Sequence, residues 1–292
     1  MRIGAVNYLN SKPLVYGLEA SAPAERLLYD LPSRLADSLS AGRLDVALVP
    51  SVEWLRQPGH VIVSDACVAC RGPVLSVKIF FRVPPAQVRR LALDEGSRTS
   101  AALAMILLDE LVGVTPQCEP LAIGCGLENT DADAVLLIGD RAIQSREQGA
   151  GSREWEARNR KSPCSSLPAP CSCYEVWDLG EKWFDWTGLP FVFAAWIARP
   201  NVETAALETL LAAARDRGVA HLAEIAAAEA PALGIDKDLA FHYLRDNLHF
   251  TLGARELSGL TRFAQLAADR DLVPRDAIRA LAQLSTYGCT HQ

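Results

Sequence analysis

Residues 74–83 read Val74-Leu75-Ser76-Val77-Lys78-Ile79-Phe80-Phe81-Arg82-Val83 and stop at Pro84-Pro85. A run so rich in β-branched and aromatic residues is a strand, and the two prolines stiffen its exit. Such an element is suited to leave one domain and cross into another. On its N-terminal side, Arg2 to Val6 reads as a strand entering the loop Asn7-Tyr8-Leu9-Asn10-Ser11-Lys12-Pro13. Ser33 is placed to cap a short helix with Leu35 and Leu39 on one face and Gly42 at its end. Asp45 to Val49 is then a buried strand, closed by Pro50-Ser51. Strand, helix, strand in this order is an α/β unit with parallel strands.

A second α/β block follows the prolines. Leu91 to Leu93 is a short strand, and Asp94-Glu95-Gly96-Ser97-Arg98-Thr99-Ser100 leads into a helix. Leu103, Ile106, Leu107 and Leu111 share one face of that helix and Gly113 stops it. Ala134 to Ile138 is another buried strand, closed by Gly139-Asp140. The segment 149–173, with its prolines, serines and mixed charges, supplies no core and reads as a long surface insertion. Pro190 to Ala198 is a β run that leads back to the first block, and the remainder is helical. There Leu207, Leu210, Leu211 and Ala214 recur at helical spacing, and amphipathic stretches lie near 238–248 and 254–270.

These elements predict an α/β protein of two lobes. Residues 1–83 with 197–292 form one lobe, and 84–196, carrying the 149–173 insertion, form the other. Two blocks joined by two crossings resemble the type II periplasmic-binding-protein fold, whose ligands sit in the cleft between lobes.

The chain has 292 residues, 50% of them hydrophobic and 22% charged, which excludes disorder as the dominant state. A net charge of −6 argues against a nucleic-acid partner, since phosphate binding needs a basic footprint. No run of about 18 apolar residues is present to span a bilayer, so no membrane partner is expected. With no secretory leader legible, the expected location is the cytoplasm, and the eight cysteines are expected to be mostly free thiols. Composition does not bear on oligomeric state.

Small polar loops would face the cleft: Asn7 to Ser11, Pro50-Ser51, Gly72 to Ser76, Gly96 to Ser100, and Gly139-Asp140. The Gly96 to Ser100 turn suits an anion best, combining the hydroxyls of Ser97, Thr99 and Ser100 with a helix N-terminus and the charge of Arg98. The competing reading is that Ser97 or Thr99 simply caps the helix. Cys67-Val68-Ala69-Cys70 is half of a zinc pattern, but it runs into an apolar β stretch and reads as buried thiols. Cys164, Cys171 and Cys173 show no ligand spacing that completes a site.

Val6-Asn7-Tyr8-Leu9-Asn10-Ser11-Lys12-Pro13-Leu14 resembles the N-terminal signature of the chorismate dehydratases of the futalosine route to menaquinone. Gly72-Pro73-Val74-Leu75-Ser76-Val77 is similar to that family's second motif. The Gly96 to Ser100 turn, Asp133 to Asp140, and Asp178-Leu179-Gly180 through Leu189-Pro190-Phe191 are similar to later blocks. The matches run in order over most of the chain; the 149–173 insertion departs from the family pattern.

The resemblance implies a cytoplasmic lyase that converts chorismate to 3-[(1-carboxyvinyl)oxy]benzoate and water, with no organic cofactor and no metal. It implies catalytic roles for Asn10, which would orient the substrate or its leaving hydroxyl, and for Ser76, which would bind or polarise the same region. Without it, Asn10 reads as an Asx-turn residue before Pro13 and Ser76 as a strand serine. Substrate contacts are expected from Ser11, Ser51, Ser97, Arg98, Thr99, Ser100, Gly139 and Asp140. Chorismate is a dianion, which hydroxyl, backbone and Arg donors suit. The five histidines lie outside the motifs, and Asp140 is either a helix cap or a base. The expected proton acceptor is therefore the enolpyruvyl carboxylate of the substrate itself. Two other classes compete: the sister enzyme that forms dihydroxynaphthoate from a cyclised futalosine, and a non-catalytic cytosolic binding protein for a small carboxylate.

Overall fold

A computed structural model describes residues 1–21, 27–149 and 173–278. Most of the 149–173 segment therefore lies outside the described residues.

The chain builds two sheets. The first contains β1 (Ile3–Val6), β2 (Leu27–Asp30), β3 (Val46–Pro50) and β4 (Val61–Cys70). The second holds β5 (Val77–Phe81), β6 (Arg90–Asp94), β7 (Gln117–Leu121), β8 (Ala134–Ile138) and β9 (Glu175–Asp178). The chain then returns to the first sheet with β10 (Phe191–Ala198) and β11 (His249–Thr251). The strand orders are β11-β4-β10-β3-β1-β2 and β7-β6-β8-β5-β9. In each sheet three parallel strands come from one continuous run of the chain, β1 to β3 in the first and β6 to β8 in the second. A strand from outside that run, β10 in the first sheet and β5 in the second, lies antiparallel beside the third. This paired arrangement is the type II binding-protein plan expected from the sequence.

The crossings differ in place from the expected boundaries at 83 and 197. The sheets part between Cys70 and Val77, so β5 pairs with β8 and β9 in the second lobe. They part again between Asp178 and Phe191, so β10 pairs with β3 and β4 in the first. Strand-forming runs were legible at both places; the sheet that each joins depends on pairing, which apolar content alone does not encode. We accordingly place lobe I at 1–70 with 191–278 and lobe II at 77–178.

Helices cover both sheets. α1 (Lys12–Val15), α2 (Leu18–Ser21), α3 (Pro32–Ser40) and α4 (Ser51–Arg56) belong to lobe I. α5 (Arg98–Val112), α6 (Asp140–Gly149) and α7 (Leu179–Thr187) follow from lobe II strands. α8 (Ala205–Ala220), α9 (Leu222–Leu233), α10 (Lys237–His242) and α11 (Ala254–Asp269) return to lobe I. Ser33 does not cap α3: Pro32 takes the first turn, where its missing N–H costs nothing, and Leu31 stands before it. Gly113, at φ 69°, closes α5 as expected. Leu103, Ile106 and Leu107 of α5 are fully buried.

The parallel strands direct their carboxyl ends into the space between the lobes, where an open α/β sheet binds its ligands. Residues 7–11 follow β1, Pro50-Ser51 closes β3, residues 95–100 follow β6, and Gly139-Asp140 follows β8.

Candidate active site

The cleft holds a cavity whose empty space, its open mouth included, is about 580 Å³. Leu48 of β3, Val68 of β4 and Phe193 of β10 give it an apolar floor. Its polar rim comes from both lobes: Tyr8, Asn10 and Ser11 from lobe I, Ser76 at the crossing, and Gly96 to Ser100 and Gly139 from lobe II.

Eight of the ten expected site residues line this cavity: Asn10, Ser11, Ser76, Ser97, Arg98, Thr99, Ser100 and Gly139; Ser51 and Asp140 do not. The hydroxyls, however, are not equally free. Ser11 Oγ donates to Val6 O and Tyr8 O at 2.6 and 2.8 Å and accepts from Tyr8 N at 3.3 Å, which holds the 3-10 turn Leu9–Ser11 from inside. Ser51 Oγ donates to Val192 O at 2.7 Å, and Thr99 Oγ1 accepts from Val52 N at 3.1 Å. Thr99 Oγ1 also lies 3.4 Å from Ser51 Oγ, so Thr99 ties α5 to α4 across the lobes.

Ser97 is different. It stands at the N-cap position of α5, yet its side chain makes no cap bond. Its Oγ is buried and has no hydrogen-bond partner among the described residues, and the same holds for Ser76 Oγ. A buried hydroxyl left unpaired costs about 1–3 kcal/mol unless a ligand or water satisfies it. Ser97 therefore does not cap α5 through its side chain.

Arg98 was expected to add a charge for an anion. Its guanidinium instead bonds Asp37 of α3 at 2.7 Å and Glu53 of α4 at 3.2 Å, clasping lobe II to lobe I. Among the described residues lining the cavity it is the one that is formally charged. An anion bound here would meet hydroxyls, Asn10 and the open N–H groups at the start of the fifteen-residue α5, whose dipole favours negative charge.

Ser76 is held by a clamp. The Gly72 to Ser76 turn carries Leu75 at φ 60°, a left-handed conformation that costs a branched residue about 1–2 kcal/mol. Asp178 stabilises that turn, accepting from Val74 N at 2.9 Å and Leu75 N at 2.6 Å. It also caps α7 through Gly180 N and Glu181 N. One carboxylate thus joins the two crossings. Gly180 allows the approach, because a Cβ there would stand 2.5 Å from Gly72 O. Replacing Asp178 with alanine leaves buried donors unpaired and should cost about 2 kcal/mol of stability, read as a lower urea midpoint, together with a fall in kcat from a displaced Ser76.

Sequence reasoning did not find Tyr243. It opens a π turn, Tyr243–Asn247, the kind of helix irregularity often kept at functional sites. Asn247 Nδ2 donates to Pro73 O at 2.9 Å, fixing the π turn to the Ser76 loop. The buried Tyr243 hydroxyl approaches Ser76 and Asn10, although Ser76 Oγ completes no hydrogen bond of regular geometry. Burial raises its pKa, so it stays protonated. A lone tyrosine in an amphipathic stretch carried no signal of this. Tyr8 is similar: burial, then the nearby Asp94 carboxylate, push its pKa up to about 12. Asp94, its side chain fully buried, pairs with Arg141 and accepts from Gly96 N and Ile138 N, shaping the α5 turn from beneath.

The family model for menaquinone biosynthesis matches residues 1–269. The chain belongs to this family. A relative from Thermus thermophilus, named chorismate dehydratase, is 36% identical over 268 residues, 90% of this chain and 93% of that protein. Among solved structures, the periplasmic aliphatic sulphonate binding protein of Escherichia coli aligns with TM-score 0.59 at 15% identity, covering 96% of this chain and 90% of that one. A Candida albicans protein described as having the generic periplasmic binding protein fold aligns with TM-score 0.60 at 11% identity, covering 97% and 94%. These two likenesses concern the fold.

Cys67 and Cys70 are both buried in β4, where burial pushes their thiols up. Three residues apart on a strand, they point to opposite faces. No group of three His, Cys, Asp or Glu placed to hold a metal occurs among the described residues, and none of their helices is long and apolar enough to cross a membrane.

Proposed function

We propose that this member of the menaquinone biosynthesis family is a cytoplasmic chorismate dehydratase, a carbon–oxygen lyase. It removes the ring hydrogen at the ether-bearing carbon of chorismate and the neighbouring hydroxyl, giving 3-[(1-carboxyvinyl)oxy]benzoate and water. The observation that carries this reading is the likeness to a relative of that name over nine-tenths of the chain, in which the cavity is lined by hydroxyl and amide groups from both lobes.

Among the described residues, those lining the cavity include no His, Asp, Glu or Lys, and the phenols of Tyr8 and Tyr243 are held protonated. A proton acceptor is nevertheless present in the substrate. The enolpyruvyl carboxylate lies one ether link from the C–H bond that breaks, and folding it back over the ring brings base and proton together. The protein then has to hold that conformer, bind the ring carboxylate and stabilise the departing hydroxyl. Ser97, Ser100 and the α5 N-terminus suit the carboxylate. Asn10 and Ser76, with Tyr243 behind them, suit the leaving group. The ring becomes aromatic, which supplies the driving force.

A head-to-head assay of chorismate and cyclised futalosine tests the reading. Enzyme-dependent formation of the aromatic enolpyruvyl product from chorismate alone is expected. Consumption of the futalosine derivative instead would establish the sister activity, and tight binding of chorismate without conversion would establish a binding protein.

A further inference from the structure

Asp140 was read from sequence as a helix cap, a substrate contact or a base. It is not among the residues lining the cavity, while Tyr8, its neighbour in space, is. Asp140 is the first residue of α6 in lobe II, and its Oδ1 accepts from Leu9 N of lobe I at 3.2 Å. Leu9 is buried and opens the 3-10 turn that carries Asn10. The preceding residue makes a second contact with the same turn. Gly139 has φ 63°, and a Cβ there would stand 3.2–3.3 Å from Cδ2 and Cε2 of Tyr8, so the tyrosine ring rests against its bare Cα. Two consecutive residues of one lobe thus seat two consecutive residues of the other, and the next residue along is Asn10.

We propose that Asp140 is a positioning residue that sets Asn10 across the cleft through the Leu9 amide, and that it transfers no proton. The inference rests on the dehydratase reading for its kinetic consequence but not for its structural one.

Several charged or titratable groups face this carboxylate. Lys12 of α1 is paired with Glu229 of α9 at 3.0 Å, and the hydroxyls of Tyr8 and Tyr243 lie on the cavity side. Burial raises the Asp140 pKa to about 6, against the Leu9 amide and Lys12, which lower it. Ionisation within the working range is thus available to a base. The Leu9 contact, in contrast, needs only an oxygen acceptor, which a neutral carboxyl or a side-chain amide also offers. Positioning therefore survives protonation of Asp140 and survives Asp140→Asn, whereas proton abstraction survives neither.

The test compares wild type, D140N and D140A of the full chain. Kinetics are measured with chorismate from pH 5 to 8, and amide hydrogen exchange of peptides spanning 6–13 is measured without substrate. D140A is expected to lose about 10–100-fold in kcat with a smaller change in KM, as a misplaced group does, and to exchange faster across 6–13. D140N is expected to restore kcat to within about threefold and exchange to the wild-type level, with no limb near pH 6 in either active form. An inactive D140N with wild-type exchange would overturn the proposal in favour of a base, as would a wild-type kcat that falls through pH 6. D140A with unchanged exchange would overturn it from the structural side. Should D140A not fold, D140N and the pH profile decide. If wild type leaves chorismate unchanged, the dehydratase reading fails, and the exchange comparison still judges the Asp140–Leu9 link.

Discussion

Asn10→Ala lowers kcat for chorismate by about 10²–10³-fold, the usual cost of removing one oriented donor from a developing charge. Stability changes little, because Asn10 is only partly buried and Ser11 holds the turn. The expected result is therefore a large kinetic defect with a urea midpoint near wild type. Ser76→Ala shows a similar loss. The double variant is expected to lose much less than the product of the two factors, since the proposed mechanism has both groups act on the same bond in one step. Multiplicative losses would place the two residues on separate tasks. A variant with raised KM and unchanged kcat would make Asn10 a plain binding group.

Gly218→Ala is expected to give a large loss of stability. Gly218 sits near the end of α8, where α1 crosses it, and an added Cβ would stand 2.0 Å from Pro13 O and 2.6 Å from Pro13 C and Cα. The obstacle is backbone, so no side-chain rotation relieves it. Either α8 shifts or residues 11–14 move outward, at a cost of about 3 kcal/mol or more. The displaced segment is the one that carries Asn10, so kcat falls with stability in this variant. This coupling distinguishes it from Asn10→Ala. A Gly218→Ala protein with wild-type midpoint and turnover would mean that the α1–α8 approach is looser than the structure has it.

Much of this fold is legible in short segments. Asp45 to Val49 and Ala134 to Ile138 are apolar runs closed by turn residues, and they are buried strands in the structure. Gly96 to Ser100 leads into α5, and Gly113 ends it. Short edge strands were not legible. β7 reads Gln-Cys-Glu-Pro-Leu and lies at a sheet edge, and β2 is only partly buried. At the site, residue types were readable but their commitments were not. Ser11, Ser51 and Thr99 supply hydroxyls as expected, yet those hydroxyls are consumed in holding turns and lobes together. Arg98 carries the expected charge, yet Glu53 and Asp37 neutralise it. Both carboxylates lie more than forty positions away in sequence, beyond any local pattern. The same distance hid Tyr243 and the second role of Asp178, which helix capping alone would explain.

The chemistry assigned to this cleft is most directly tested with chorismate carrying deuterium at the ether-bearing ring carbon, incubated with purified enzyme and followed by mass spectrometry. Loss of that C–H bond and of the neighbouring hydroxyl requires an aromatic product free of deuterium, formed only with enzyme present. Recovery of labelled chorismate unchanged by folded protein, or a product that keeps the deuterium, would contradict the dehydration.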